Sequence, residues 1–382
     1  VLNATTGATT GAVNAASGSI SGGLGAGGVA GGSSNGTAMT VGLDTTSSGA
    51  KSGTVTLDYV SNGTGTSGLG NTNVGTQTVN VSGNVYQAAV AQLNTVTPVN
   101  FGIVHVGDTV AAQAVSVTNA AAGALNDSLL ASANGASSPF TAAGSLGAAG
   151  LAAGATDASS LTVGMTTAQA GVYNGTATFD AASHDGQLAN LVLSPLQVSL
   201  TGIVNNYANP VFTLAGGAHG SLLNSGLNYT LNLGNLAPGS GSFNDALSVL
   251  NAVSGPSDLL KGTFSLVGTS TPGLTFNGFN FGSQAFSGLG AGGSYGMSLG
   301  FDPSLMGLGG FSDTLTLAAM GYNASGYSEP FQLQLTLDGS VTAPSVPEPD
   351  SLALMLLGLG FAGAVCARRL RAAQDRRLAA RG

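Results

Sequence analysis

A domain-sized unit recurs three times along this chain, and any fold has to accommodate the repetition. The loop Gly-Leu-x-Ala-Gly stands at 23–27, 150–154 and 288–292, at spacings of 127 and 138 residues. Such a period belongs to tandem domains and not to a solenoid. Each loop leads into a short strand and a turn. The first two copies align without gaps, VGLDTTSSGAKSGTVTLD from Val41 and VGMTTAQAGVYNGTATFD from Val163, with a looser third copy from Met297. Each unit then closes on an alternating strand with a central glycine, VNVSGNVY from Val79, VSLTGIVN from Val198 and LTLDGSVT from Leu335.

Period-two alternation makes these segments strands. Val55, Leu57 and Tyr59 fall on one side and Thr54, Thr56 and Asp58 on the other, as Leu333, Leu335 and Leu337 do near the end. Ser52-Gly53, Asn62-Gly63 and Asn174-Gly175 read as turns. Many short strands without strand–helix alternation predict an all-β chain of tandem β-sandwiches. The expected boundaries are 1–92 for the C-terminal part of a truncated repeat, 93–207 and 208–343 for two further repeats, and 344–382 for a tail. The chain begins at Val1 with no charged, apolar leader, so it reads as a fragment lacking its N-terminus.

Composition narrows the function classes. Only 6% of residues are charged, against 43% hydrophobic, and mean hydropathy is +0.32. That favours folded β-structure over disorder. With no tryptophan and 6% aromatics, light cores are expected. Upstream of the tail two lysines face thirteen acids, so the basic surface that nucleic acid requires is missing. Cys366 is the sole cysteine, which excludes intrachain disulfides and cysteine metal sites.

The tail has three parts: the tag Val346-Pro347-Glu348-Pro349, an uncharged run over 352–367, and the arginines Arg368, Arg369 and Arg371 with three more beyond. A transmembrane helix over 351–367 is expected, although sixteen residues give only about 24 Å against a hydrocarbon core of about 30 Å. The basic residues 368–382 would then stay cytoplasmic as a membrane stop. Pro344, Pro347 and Pro349 keep the linker and tag extended.

Two resemblances follow from these residues. Tag, apolar run and arginines together resemble the PEP-CTERM sorting signal of Gram-negative bacteria, from which the extension 372–382 departs by its length. The resemblance implies an exosortase-type processing enzyme as partner, an inner-membrane intermediate with a periplasmic ectodomain, and an association with exopolysaccharide and biofilm at the cell surface or in the matrix. The run Val99-Asn100-Phe101-Gly102-Ile103-Val104-His105-Val106-Gly107, continued by Val115-Ser116-Val117-Thr118-Asn119, resembles choice-of-anchor D and ASH-like immunoglobulin-type repeats. A degenerate version runs through 229–234 and Leu247-Ser248-Val249-Leu250-Asn251. This implies immunoglobulin-like sandwiches and no activity.

Candidate chemistry is sparse. The G-x-G-x-x-G matches at 23–28 and 288–293 lack a βαβ context and belong to the repeated loop. His105, His184 and His219 have no metal-ligand spacing and read as loop residues. Asp58 and Asp180, at matching strand ends, suggest either a calcium site per domain or turn-forming aspartates. Tyr59, Tyr86, Tyr173 and Tyr207 suggest packing residues or a sugar-stacking face. No catalytic, metal or cofactor residue is assigned. The expected function is a non-enzymatic exported surface or matrix protein. The alternatives are a repeat-containing adhesin for a cell surface or glycan, or the remnant of a secreted hydrolase with its catalytic domain upstream.

Overall fold

The computed structural model describes residues 1–343 and 351–378. Five strands, β1 (Leu2–Gly11), β2 (Val13–Ile20), β3 (Met39–Leu43), β4 (Gly49–Ser61) and β5 (Thr72–Val85), form one antiparallel sheet in the order β3-β2-β1-β4-β5. Next come β6 (Ala91–Leu93), β7 (Val99–His105), β8 (Gln113–Asn119), β9 (Ser128–Ala136), β10 (Phe140–Gly144), β11 (Thr156–Met165), β12 (Gly171–His184) and β13 (Leu191–Asn205). They make two four-stranded sheets, β10-β11-β8-β6 and β7-β13-β12-β9, sharing one core.

A larger sandwich follows from β14 (Pro210–Leu214), β15 (Ser221–Ser225), β16 (Asn228–Leu236), β17 (Phe243–Asn251), β18 (Leu259–Val267), β19 (Leu274–Asn277), β20 (Gln284–Leu289), β21 (Ser294–Phe301), β22 (Gly309–Tyr322) and β23 (Ser328–Val341). Its sheets are β14-β17-β21-β19 and β15-β16-β23-β22-β18-β20. One α-helix among the described residues, α1 (Ser351–Leu378), follows the sandwiches. The chain is thus all-β with immunoglobulin-like sandwiches and one terminal helix. β6 straddles the boundary expected between 92 and 93 and pairs with β8 of the second unit.

Alternation converts directly into burial. Along β17, Phe243, Asp245, Leu247, Val249 and Asn251 point inward while the residues between them face outward or are half-buried. The cores are not uniformly light. Phe212, Phe243, Phe264, Phe279, Phe286, Phe301 and Phe311 are all buried in the third unit. Each contributes about 2 kcal/mol or more by burial, with edge contacts such as Phe264–Phe279 at 5.1 Å. Average composition hid this concentration in one unit.

The repeated sequence has a physical reason. Asn119 and Asn251, the last residues of β8 and β17, are fully buried. The Asn119 side-chain amide donates to the carbonyls of Asp127 and Leu151, and its oxygen accepts from the N–H groups of Val90 and Ala121. Asn251 donates to the carbonyls of Asp258 and Leu289 and accepts from Asn209 N–H. Leu151 and Leu289 are the leucines of the Gly-Leu-x-Ala-Gly loop. Backbone bonds complete the clasp, from Gly154 N–H to Asn119 O and from Gly292 N–H to Asn251 O. In the second and third units the loop is therefore held against the strand end by an inward asparagine.

The closing glycines also have a common role. A Cβ on Gly202 would lie 2.5 Å from Met165 Sδ, one on Gly339 2.6 Å from the Phe311 ring, and one on Gly83 2.8 Å from Leu43. Each glycine seats a large neighbouring side chain. Gly202→Leu should destabilise the second sandwich by about 1–3 kcal/mol through overpacking, read as a lower urea midpoint. An unchanged midpoint would show that the seat is not tight.

Ser52-Gly53 and Asn174-Gly175 are not turns, because they lie inside β4 and β12. Gly175 is required by close approach: a Cβ there would stand 2.9 Å from both Phe140 and Ser137. Asp58 and Asp180 likewise lie within these strands and not at their ends. Each adjoins a register irregularity, at Tyr59/Val60 and Phe179/Ala181.

Candidate functional site

The densest polar cluster lies where the second and third sandwiches meet. β7 ends at His105, which is 4% exposed, and its Nε2 stands 2.8 Å from Oδ2 of Asp258, a fully buried residue between β17 and β18. The other Asp258 oxygen accepts from Asn205 Nδ2 at 3.1 Å and Asn323 Nδ2 at 2.7 Å. Asn205 ends β13 and Asn323 lies in the β22–β23 turn, so one carboxylate joins both sandwiches. His105 Nδ1 is 3.5 Å from Asp108 Oδ2, which also accepts the His105 backbone N–H at 2.7 Å.

Aromatic rings close the joint. Tyr207, in the connecting segment, stacks on His105 at 4.2 Å and 9°, and Tyr327 packs against the same ring at 4.4 Å. Loss of hydration, followed by the Glu329 charge, pushes the Tyr327 hydroxyl up to about 12. Loss of hydration and then Asp108 raise that of Tyr207. Both phenols therefore stay protonated and donate, Tyr207 to Asp108 and Tyr327 to Glu329. Backbone bonds from Val106 N–H to Asn205 O and from Asp258 N–H to Asn206 O bind the connection to both units.

The junction between the first sheet and the second unit has the same backbone plan with different side chains. Asp127 N–H donates to Gln87 O as Asp258 N–H does to Asn206 O, and both sites carry a parallel bridge, Gln87↔Asn126 and Asn206↔Ser257. There Asp127 accepts only the Ser183 hydroxyl, which in turn accepts Ala89 N–H. Among the described residues, no imidazole with packed tyrosine rings reinforces it.

This geometry suits mechanical coupling better than catalysis. Both ring nitrogens of His105 face carboxylates, so neither is left to take a proton from a substrate. Sequence reading placed His105 in a loop without a role; it ends a strand and is buried. The signal was present, since His105 shares the inward parity of Val99 and Phe101.

The other residues singled out by sequence remain scattered. His184 Nδ1 bonds Asn190, and His219 lies on the Phe243 ring with Nδ1 3.6 Å from Asp245. Asp180 accepts from Asn134. Tyr59 donates to Gln77, and Tyr173 to Gln169 O. Tyr86 borders a 360 Å³ groove with Asp127 and Asp185. Among the described residues, no group of three or more His, Cys, Asp or Glu is placed to hold a metal ion.

The tag Val346, Pro347, Glu348 and Pro349 lies outside the described residues. Arg368, Arg369 and Arg371 are exposed and sit within α1, not beyond its end. The expected transmembrane helix over 351–367 is corrected accordingly. α1 runs through the arginines to Leu378, and among the described residues no helix is long and apolar enough to cross a membrane. Sixteen uncharged residues fall short of the ~20 that a span requires. Leu359, Phe361 and Val365 nevertheless stand exposed.

Comparison with known proteins separates tail from body. No match was found among curated proteins. Solved structures that resemble the body include mouse cadherin-23 EC22-24, at 12% identity and TM-score 0.36, covering 90% of this chain and 86% of that one. An ASH/PapD-like domain of human CEP192 is similar at 15% identity and TM-score 0.21, covering 33% and 87%. AggA, the major subunit of aggregative adherence fimbriae type I from Escherichia coli, gives 13% identity and TM-score 0.22, covering 36% and 98%. Residues 345–371 match the PEP-CTERM protein-sorting motif, which implies an exported protein sorted to the cell surface by an exosortase.

Proposed function

We propose that this chain is a non-enzymatic matrix or surface protein of a Gram-negative bacterium, whose tail is recognised and processed by an exosortase-type enzyme at the inner membrane. The match at 345–371 carries the reading. Val346, Pro347, Glu348 and Pro349 form the recognised tag, and Arg368, Arg369 and Arg371 form the basic end of the motif. The exposed Leu359, Phe361 and Val365 supply apolar surface for the enzyme or the lipid around it.

The body is then a set of spacer domains, divided near 92, 207 and 343, in contact with exopolysaccharide of the biofilm matrix. Its uncharged strand faces, rich in Thr, Ser and Asn, hydrogen-bond a hydrated polysaccharide with little salt dependence. The clamped joint at His105–Asp258 supports a stiff connection between the last two sandwiches.

Mass spectrometry of C-terminal peptides from separated membrane and matrix fractions tests the reading. The matrix form should end near the tag, between Pro347 and Pro349, and lack all six arginines. An intact tail on protein confined to the membrane fraction would overturn it.

A further inference from the structure

A groove on the outward face of the six-stranded sheet holds the one lysine of the last two sandwiches. β18, β22 and β23 lie side by side there, with Lys261 opposite Met320 and Met320 opposite Pro330. In the next outward row Thr263 stands opposite Ala318 and Ala318 opposite Gln332, and Gln284 of β20 extends that row beyond Thr263. These residues line a groove of about 590 Å³, a size usual for a small-ligand site.

Lys261 faces the groove without a charge partner. Upstream of the tail two lysines stand against thirteen acids. Even so, among the described residues no carboxylate lies within ion-pair distance of Lys261. The side chain is half-buried, and its Nζ is 5.0 Å from the centre of the Tyr322 ring, a cation–π distance. Tyr322 is fixed in turn by a hydrogen bond between its hydroxyl and that of Ser287, at 3.2 Å. The adjacent acids are turned away. Asp258 is fully buried within the joint, and Glu329 alternates to the other side of β23 from Pro330 and accepts from Tyr327.

The lining defines the occupant. A negative charge suits Lys261, an apolar side suits Met320 and Pro330, and groups that both donate and accept suit the amides of Gln284 and Gln332. The neighbouring outward row of Ser265, Thr316 and Gln334 is uncharged. A chain continuing across the face therefore meets hydroxyls and amides. A pyranose bearing a carboxylate combines all these features: a C–H face, hydroxyls around its rim and one negative charge.

We propose that this groove binds a uronate, a carboxylate-bearing sugar unit, within a polysaccharide chain. The carboxylate takes the Lys261 ammonium, the ring lies on Met320 and Pro330, and the glutamine amides take its hydroxyls. The proposal rests on the reading of the body as a polysaccharide contact, and it gives that contact a place and a charge.

Hydrogen exchange on the full chain tests it, with tetragalacturonate as the acidic probe and its carboxyl-reduced form as the neutral control. The acidic probe should slow exchange at 259–263, 284–287, 318–322 and 330–332, and the neutral form should bind there about tenfold more weakly. Lys261→Met keeps the stem beside Tyr322 and removes the charge, and should weaken acidic binding about tenfold. Lys51→Met removes the same charge elsewhere and should change nothing. Ala318→Glu, at an exposed position, sets a like charge in the groove and should abolish protection. Protection confined to the arginines of 368–381 would overturn the proposal. So would equal effects of the two lysine substitutions, or equal protection by a tetraglutamate peptide, which would mark a site for anions and not for sugars. Equal protection by the acidic and neutral sugars would remove the uronate but leave the polysaccharide contact standing; protection by neither would remove both.

Discussion

Asn251→Leu should cost the third sandwich about 3 kcal/mol or more, the expected effect of leaving several buried backbone groups without partners. Asn251 is fully buried, and its side chain serves Asp258 O at 3.0 Å, Leu289 O at 3.1 Å and Asn209 N–H at 2.9 Å. Leucine has similar volume, so it keeps water out while offering no polar atom. One loss is softened, because Asp258 O still accepts the Ser257 hydroxyl at 3.1 Å. Asn251→Asp separates the roles, since it keeps the acceptor for Asn209 and loses both donors. Urea unfolding followed by tyrosine fluorescence gives the comparison. A loss below about 1 kcal/mol for Asn251→Leu would show that the loop holds without the clasp. Asn119→Leu should behave alike in the second sandwich. With no shared partners, the two losses should add to within about 0.5 kcal/mol.

These asparagines also show what the sequence carries. The strands were legible because alternation fixes which side chains face inward, and Val115, Val117 and Asn119 obey the same parity. An asparagine at the inward end of an alternating strand, in two units, beside a recurring glycine loop, was a readable sign of a buried clasp. The glycines misled in the opposite direction. Gly53 and Gly175 look like turn residues, yet their function is close packing, which depends on Thr10 and Val13 lying against Gly53 and on Phe140 and Ser137 lying against Gly175. The His105–Asp258 pair was not legible, because 153 residues separate its members and no spacing rule reaches across two domains. Sorting, by contrast, is a local signal, so it was fully present in the linear sequence.

His105→Ala should loosen the second and third sandwiches and cost about 3 kcal/mol, because it removes one hydrogen-bond partner of a buried carboxylate. Asp258 would keep the amide donors of Asn205 and Asn323 but lose its third donor. Two contributions are mixed in that loss, the bond to Asp258 and the contacts of the His105 ring with Tyr207 and Tyr327. His105→Phe separates them. Phenylalanine keeps an aromatic ring against both tyrosines, a contact of about 1 kcal/mol, and cannot donate to the carboxylate. If the polar bond dominates, His105→Phe falls close to His105→Ala; if stacking dominates, it stays near the parent. A double-mutant cycle with Asp258→Leu provides the independent check, with an expected coupling of about 2 kcal/mol. Small-angle scattering reads the mechanical consequence, since an unlocked joint broadens the distance distribution while each sandwich remains folded. Additive losses with an unchanged distribution would mean that the backbone bonds at Val106 and Asp258 alone hold the two units together, and that the histidine merely fills space.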